Sequence, residues 1–181
     1  MYVLSFTTAN TSWMYDFTTK SWSKLQYKGK DRHLSQKHTY LAGKHYVIDY
    51  NAPKLYEMSN AYFDDAGIKI RRARVSSVFL LPTYNKFTIN KITIDLKQGT
   101  GGDCGIEEDP ILFLRTSFDG GVSYGNQLSQ PIGRIGERVF TTSFYNLGSN
   151  KTAVFEIEHY NARPFVILGA ALDVDVSPFG E

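Results

Sequence analysis

The sequence predicts an all-β protein in two unequal parts. Residues 1–72 read as a partial propeller made of β-meanders, and residues 73–181 as an antiparallel β-sandwich or jelly roll. Three observations predict this. Strand-favouring aromatics are abundant, with 12 Tyr, 12 Phe and 2 Trp among 181 residues. Apolar stretches are short and bounded by turn residues, with almost no sustained 3.6-residue period. The charge pattern also changes part-way along the chain. Residues 1–74 hold 12 Lys and Arg against 6 Asp and Glu, whereas residues 75–181 hold 8 against 12.

In the first part, "MYDFTTKSWSKL" at 14–25 lies over "VIDYNAPKLYEM" at 47–58, an offset of 33 residues. Asp16 aligns with Asp49, each followed by an aromatic, a polar turn and a strand carrying Trp22 or Leu55. One further strand is expected ahead of each copy, at Val3–Phe6 and Thr39–Ala42. A period of this length marks repeat architectures, and short meanders point to propeller blades. The plainer alternative is two unrelated hairpins. A weak helical period at Leu55, Met58 and Tyr62 runs straight into the turn residues 64–67.

In the second part, strands are expected at 75–81, 86–97, 110–118, 122–124, 137–146, 153–160 and 165–176. Phe155 and Ile157 alternate with Val154, Glu156 and Glu158, which predicts one buried and one wet face. In "KFTINKITIDL" the apolar phase flips between Ile89 and Ile92. One strand can turn both sets inward only with an extra residue, so a β-bulge is expected at Asn90-Lys91.

Composition excludes several classes of function. The single cysteine, Cys104, allows neither an internal disulfide nor a thiolate cluster. The N-terminal residues lack the pattern of a signal peptide, and no apolar run reaches membrane-spanning length. A reducing cytoplasm, or a particle assembled there, is the expected setting. The sequons at Asn10 and Asn150 then carry no meaning.

The stretch "SFDGGVSYG", 117–125, can be read as G-x-S-x-G, the nucleophile elbow of a serine hydrolase. That motif needs a strand-to-helix turn, and no helix follows Ser123. It can also be read as an Asp-box, with Asp119, Gly120 and Gly121 forming a hairpin turn. This second reading is a structural one, and Ser123 is expected not to be activated. The loop 99–110 gathers four carboxylates among glycines without the spacing of a calcium loop, and reads as solvated. His33, His38, His45 and His159 show no metal-ligand spacing. No catalytic residue, metal or cofactor is expected. Lys28, Lys30 and Arg32, with Arg71, Arg72 and Arg74, are candidate contacts to a partner or to DNA, against the alternative of a solvated loop and a linker. Trp13, Trp22, Tyr46 and Tyr56 are candidate interface aromatics.

Several stretches in the same order carry a resemblance: "WMYDFTTKSW", "GKHYVIDYNAPKLYEM", "DDAGIKIRRAR", "SFDGGVSYG", "PIGRIGERV" and "FVILGAALDVDV". Together they resemble the C-terminal part of the packaged-DNA stabilisation proteins, the tail hubs of short-tailed bacteriophages. The resemblance implies a non-enzymatic virion protein at the portal or tail vertex, assembled in the host cytoplasm. Its implied partners are other portal and tail proteins and further copies of itself, with DNA nearby and no membrane. Family members are longer, with more propeller-like sequence ahead of this region, so the resemblance places the start of this chain near a propeller's end. The alternative class is a carbohydrate- or receptor-binding sandwich with Trp13, Trp22, Tyr27 and Tyr124 as its aromatic platform. A sialidase-like glycosidase is a more distant one.

Overall fold

The computed structural model describes residues 1–97, 110–133 and 141–176. These are all strands, turns and loops, with no helix among the described residues, so the protein is all-β. The chain divides into two compact units, Met1–Ile70 and Arg71–Glu181. The division falls inside the basic run 69–74.

The first unit opens with β1 (Tyr2–Phe6), β2 (Thr11–Asp16) and β3 (Ser21–Leu25), paired antiparallel in that order. A second meander follows, with β4 (Ser35–Leu41), β5 (Lys44–Asp49) and β6 (Leu55–Met58), and then a short hairpin of β7 (Asp64–Asp65) and β8 (Ile68–Lys69). Leu55 and Met58, which hinted at a helix, therefore belong to a strand. Pairing of β2 with β3 sets Ser12 opposite Leu25 and Tyr15 opposite Trp22. Pairing of β5 with β6 sets His45 opposite Met58 and Ile48 opposite Leu55. Adding 33 to each residue of the first register reproduces the second, so the repeat extends to strand pairing. Its aspartates share a task as well. Asp16 accepts the Thr18 amide at 2.9 Å, and Asp49 accepts the Asn51 amide at 2.7 Å. Each closes the turn that leads to the third strand.

The two copies differ at their first hairpin. Residues 7–10 join β1 to β2, whereas Ala42 and Gly43 alone join β4 to β5. Their φ values of 51° and 79° are those of a two-residue hairpin turn. The shorter turn lets β4 run from Ser35 to Leu41, where the sequence suggested only 39–42. The shift of 33 also carries Ser5 and Ser12 onto His38 and His45. Both pairs are hydrogen-bonded, at 2.9 Å and 2.8 Å.

The second unit holds β9 (Arg72–Val75), β10 (Phe79–Leu80), β11 (Phe87–Leu96), β12 (Ile111–Ser117), β13 (Leu128–Pro131), β14 (Thr142–Asn150), β15 (Thr152–His159) and β16 (Ile167–Val176). One sheet runs β10-β15-β12-β13, with β9 also paired to β15; the other runs β14-β11-β16. The core between them takes Phe87, Ile89, Ile92 and Ile94 from β11, Phe144 from β14, Leu112 and Leu114 from β12, and Phe155 from β15. Burying a side chain of this size fully contributes about 1.5–3 kcal/mol, so this core holds the sandwich together. The pairing of β11 with both neighbours shifts between Ile89 and Lys91. Asn90 is an extra residue relative to β16, and two residues of β14, Asn146 and Leu147, lie opposite it; the shift turns both apolar sets of β11 inward, as the phase flip requires.

Three details differ from the expectations. The stretch 75–81 is two short strands, and residues 122–124 lie in a loop that leads on to β13. Glu156 and Glu158 are buried, not wet. The strand β15 lies between neighbours on both sides, and arginines cover its outer face. The loop 99–110 lies outside the described residues except for Pro110, as do residues 137–140 of the stretch 137–146, whose described strand begins at Thr142.

Candidate functional site

The motif 117–125 folds as a saturated carboxylate turn. Asp119 Oδ1 accepts the Ser117 hydroxyl at 2.7 Å and the Val122 amide at 3.0 Å. Both carboxylate oxygens accept the Ser123 amide at 2.9 Å, and Oδ2 accepts the Ser123 hydroxyl at 2.5 Å. Gly121 donates its amide to Ser117 Oγ at 2.9 Å. The φ values of Gly120 and Gly121, 78° and 93°, are open to glycine at little cost. The Ser123 hydroxyl, then the Ser117 hydroxyl and the Ser123 amide, hold the Asp119 carboxyl far below its ordinary value. Such a carboxylate is a weak base, and Ser123 gives its proton to it instead of to an imidazole. The geometry is that of a turn and not of an activated nucleophile.

Beside this turn lies a cleft of about 630 Å³. Asp119, Ser123, Tyr124 and Asn126 line one side, and Asn146, Leu147 and Asn150 of β14 the other. Asn146 and Leu147 are adjacent in sequence, so in a regular strand they would point to opposite faces. Here β14 bulges opposite Asn90, because Gly148 pairs with Ile89 and Tyr145 with Lys91. Asn146 takes φ 55° in this bulge, and both residues reach the cleft. Phe118 fixes the wall: a Cβ on Gly148 would lie 3.0 Å from its ring. Sequence reasoning found a turn at Asp119 but expected a tight hairpin, whereas residues 118–127 join β12 to β13; it also missed the three asparagines. The phase flip around Asn90 was the one signal of a bulge nearby.

The basic candidates separate into two groups. Arg32 is buried, 7% exposed, with its guanidinium 3.6 Å over the Tyr50 ring, so it presents no surface to a phosphate. Arg71 bonds Glu158 and Glu156, and Arg115 joins both carboxylates from β12 at 3.0 Å and 2.6 Å. Arg72 donates to the carbonyls of Asn161 and Arg163 at 2.8 Å and 3.1 Å. Lys28, Lys30 and Arg74 are exposed. Burial alone would raise the Glu158 carboxyl, but the Arg71 guanidinium and the Tyr160 hydroxyl outweigh it and hold it low. The Tyr160 hydroxyl donates to Glu158 at 2.8 Å and is pushed up, first by burial and then by this bond. Two Arg, two Glu and one Tyr thus form one connected network on the outer face of the sheet, in which Arg115 Nε and Glu156 Oε2 are buried without a hydrogen-bond partner among the described residues. None is poised as a phenolate nucleophile or a free anion site.

The aromatic candidates separate by face. The β1–β2–β3 register places Tyr2, Leu4, Phe6, Trp13, Tyr15 and Trp22 on one face of the first meander. Trp13 is 37% exposed and Trp22 49%, and Tyr2 and Phe6 are exposed beside them. Trp22 packs on Tyr15 with ring centroids 5.0 Å apart. Tyr46 holds the position equivalent to Trp13, on the face that leaves Ile48 and Leu55 exposed. Tyr56 pairs with buried Val47 and so belongs to the opposite face. Tyr27 and Tyr124 are half-buried, and Tyr124 has the Arg115 guanidinium 5.5 Å from its ring centroid.

A second groove, about 870 Å³, lies within the first unit and is lined by Ser5, Ser35, His38, His45, Lys44 and Glu57 among others. His38 and His45 bond each other there, and Lys44 pairs with Glu57 at 2.8 Å. Among the described residues, no group of three or more His, Cys, Asp or Glu could hold a metal ion, and no helix is long and apolar enough to cross a membrane. No family model and no curated protein matches the chain.

Proposed function

We propose that the protein is a non-enzymatic structural component of a phage virion, placed at the portal or tail vertex and joined to neighbouring subunits through its sheet faces. The observation that carries this reading is the bare aromatic face of the first meander. Tyr2, Phe6, Trp13 and Trp22 form one contiguous apolar wall, larger than the scattered apolar residues of ordinary monomer surfaces. Under this reading the meanders are propeller-like blades, and the shared register of the two copies supports it. Blades cover one another's faces, so a terminal blade left bare needs a neighbour. The saturated Asp119 turn favours a scaffold over a hydrolase at that motif. The exposed Lys28, Lys30 and Arg74 suit a vertex close to DNA.

Sedimentation velocity of the full chain tests this reading. The wild type is expected to associate reversibly at micromolar concentration, and Trp13→Ser with Trp22→Ser to remain monomeric with an unchanged far-UV spectrum. Wild-type and variant chains that are equally monomeric at all concentrations would contradict it.

A further inference from the structure

The cleft beside the Asp119 turn has no part in assembly through the first unit, and its lining is unusual. Three asparagines converge on it, and no lysine or arginine among the described residues lines it. The side-chain amides of Asn126 and Asn146 make no hydrogen bond among the described residues. Asn150 uses its Oδ1 to accept the Lys151 amide at 2.7 Å, which leaves its NH₂ group as a donor. Tyr124, Leu128 and Leu147 supply apolar surface between these amides. Asn146 is also held at φ 55°, a conformation that costs energy and is common where a side chain is re-aimed at a ligand.

We propose that this cleft binds a neutral saccharide without cleaving it. Each free amide offers one acceptor and two donors, the set that adjacent hydroxyls of a pyranose require. The Tyr124 ring and the two leucines match the apolar C–H face of such a ring. The cleft volume lies within the roughly 300–1,000 Å³ of small-ligand sites. Anionic ligands are disfavoured, because the only charged group among the described lining residues is the Asp119 carboxylate. Hydrolysis needs two placed carboxyl groups. The single one here is fully occupied by Ser117, Val122 and Ser123. A peptide strand is the other ligand that amides could serve. It would use the backbone of an edge strand, such as β13 or β14, and would leave the convergent side-chain amides unused, so a peptide is the competing outcome of the test.

The test applies the full chain to an array of neutral and acidic glycans. The strongest neutral ligand is then titrated into ¹⁵N-labelled protein, with penta-alanine and inorganic phosphate as controls. Saturable shifts are expected at residues 121–126 and 144–150 with the neutral glycan alone. Asn126→Ala, on the exposed loop, and Asn146→Gly, which keeps the positive φ, should each weaken binding about tenfold, the loss of roughly one hydrogen bond. Both should do so without lowering the melting temperature. Failure of every neutral glycan to bind, shifts caused only by penta-alanine or phosphate, or undiminished binding by both variants would overturn the proposal.

Discussion

Asp119 shows how a single exposed side chain can organise the seven residues 117–123. Its two oxygens accept bonds from Ser117, Val122 and Ser123, and these hold its carboxyl far below the ordinary value of 3.8. A depressed folded-state value means that the stabilisation is complete above the unfolded-state value and is lost as pH falls through the folded one. Asp119→Asn is therefore expected to lower the melting temperature at pH 7. The gap between variant and wild type should stay constant down to about pH 4 and close only in stronger acid. Thermal melts from pH 7 to pH 2 check this. The turn was legible in the sequence, because Asp bonds the backbone a few residues on and the two glycines accept the positive φ that the turn needs. Glu156 and Glu158 were not. Alternation alone assigned them to solvent, while the arginine that covers them, Arg71, stands 85 and 87 residues away. Glu158→Ala would leave Arg71 and Arg115, both partly exposed, with Glu156 alone. The loss of charge-assisted bonds, weakened by solvent, is expected to cost about 1–2 kcal/mol, to be read as a shift in denaturant midpoint.

Two elements carry most of the positional information. In β11, Asn90 is the inserted residue that keeps Phe87 and Ile89 in the same core as Ile92, Ile94 and Leu96. Deleting Asn90 would turn one of these sets towards solvent. Each lost side chain is worth about 1.5–3 kcal/mol, and the sum rivals the roughly 5–15 kcal/mol that keeps a domain folded. The deletion variant is expected to lose its cooperative melt and the dispersion of its amide spectrum. A folded deletion variant with Ile92 still buried would show that the bulge is dispensable. The need for this bulge could be read from apolar phase alone. Its consequence on the facing strand, where Asn146 and Leu147 both reach the cleft, could not, because it depends on which strand pairs opposite. In the first unit the repeat was visible through Asp16 and Asp49. The length of β4 was hidden because it follows from a turn two residues shorter than its counterpart.

At the scale of the molecule, the units differ in how much of their apolar surface they cover themselves. The second unit encloses a core of large side chains between two sheets, whereas the first leaves Tyr2, Phe6, Trp22, Leu41 and Leu55 exposed. Expressed separately, residues 71–181 are expected to melt cooperatively, and residues 1–70 to aggregate or remain disordered. A soluble, monomeric and cooperatively folding 1–70 would show that the bare face needs no neighbour.

A structural role in a virion, as proposed, can be checked by quantitative mass spectrometry of particles purified from a host that produces them. Peptides of this chain are expected in the intact particles, at a fixed low copy number that matches the vertex proteins and survives a high-salt wash. Recovery of the chain only from the soluble lysate, with none in infectious particles, would contradict it.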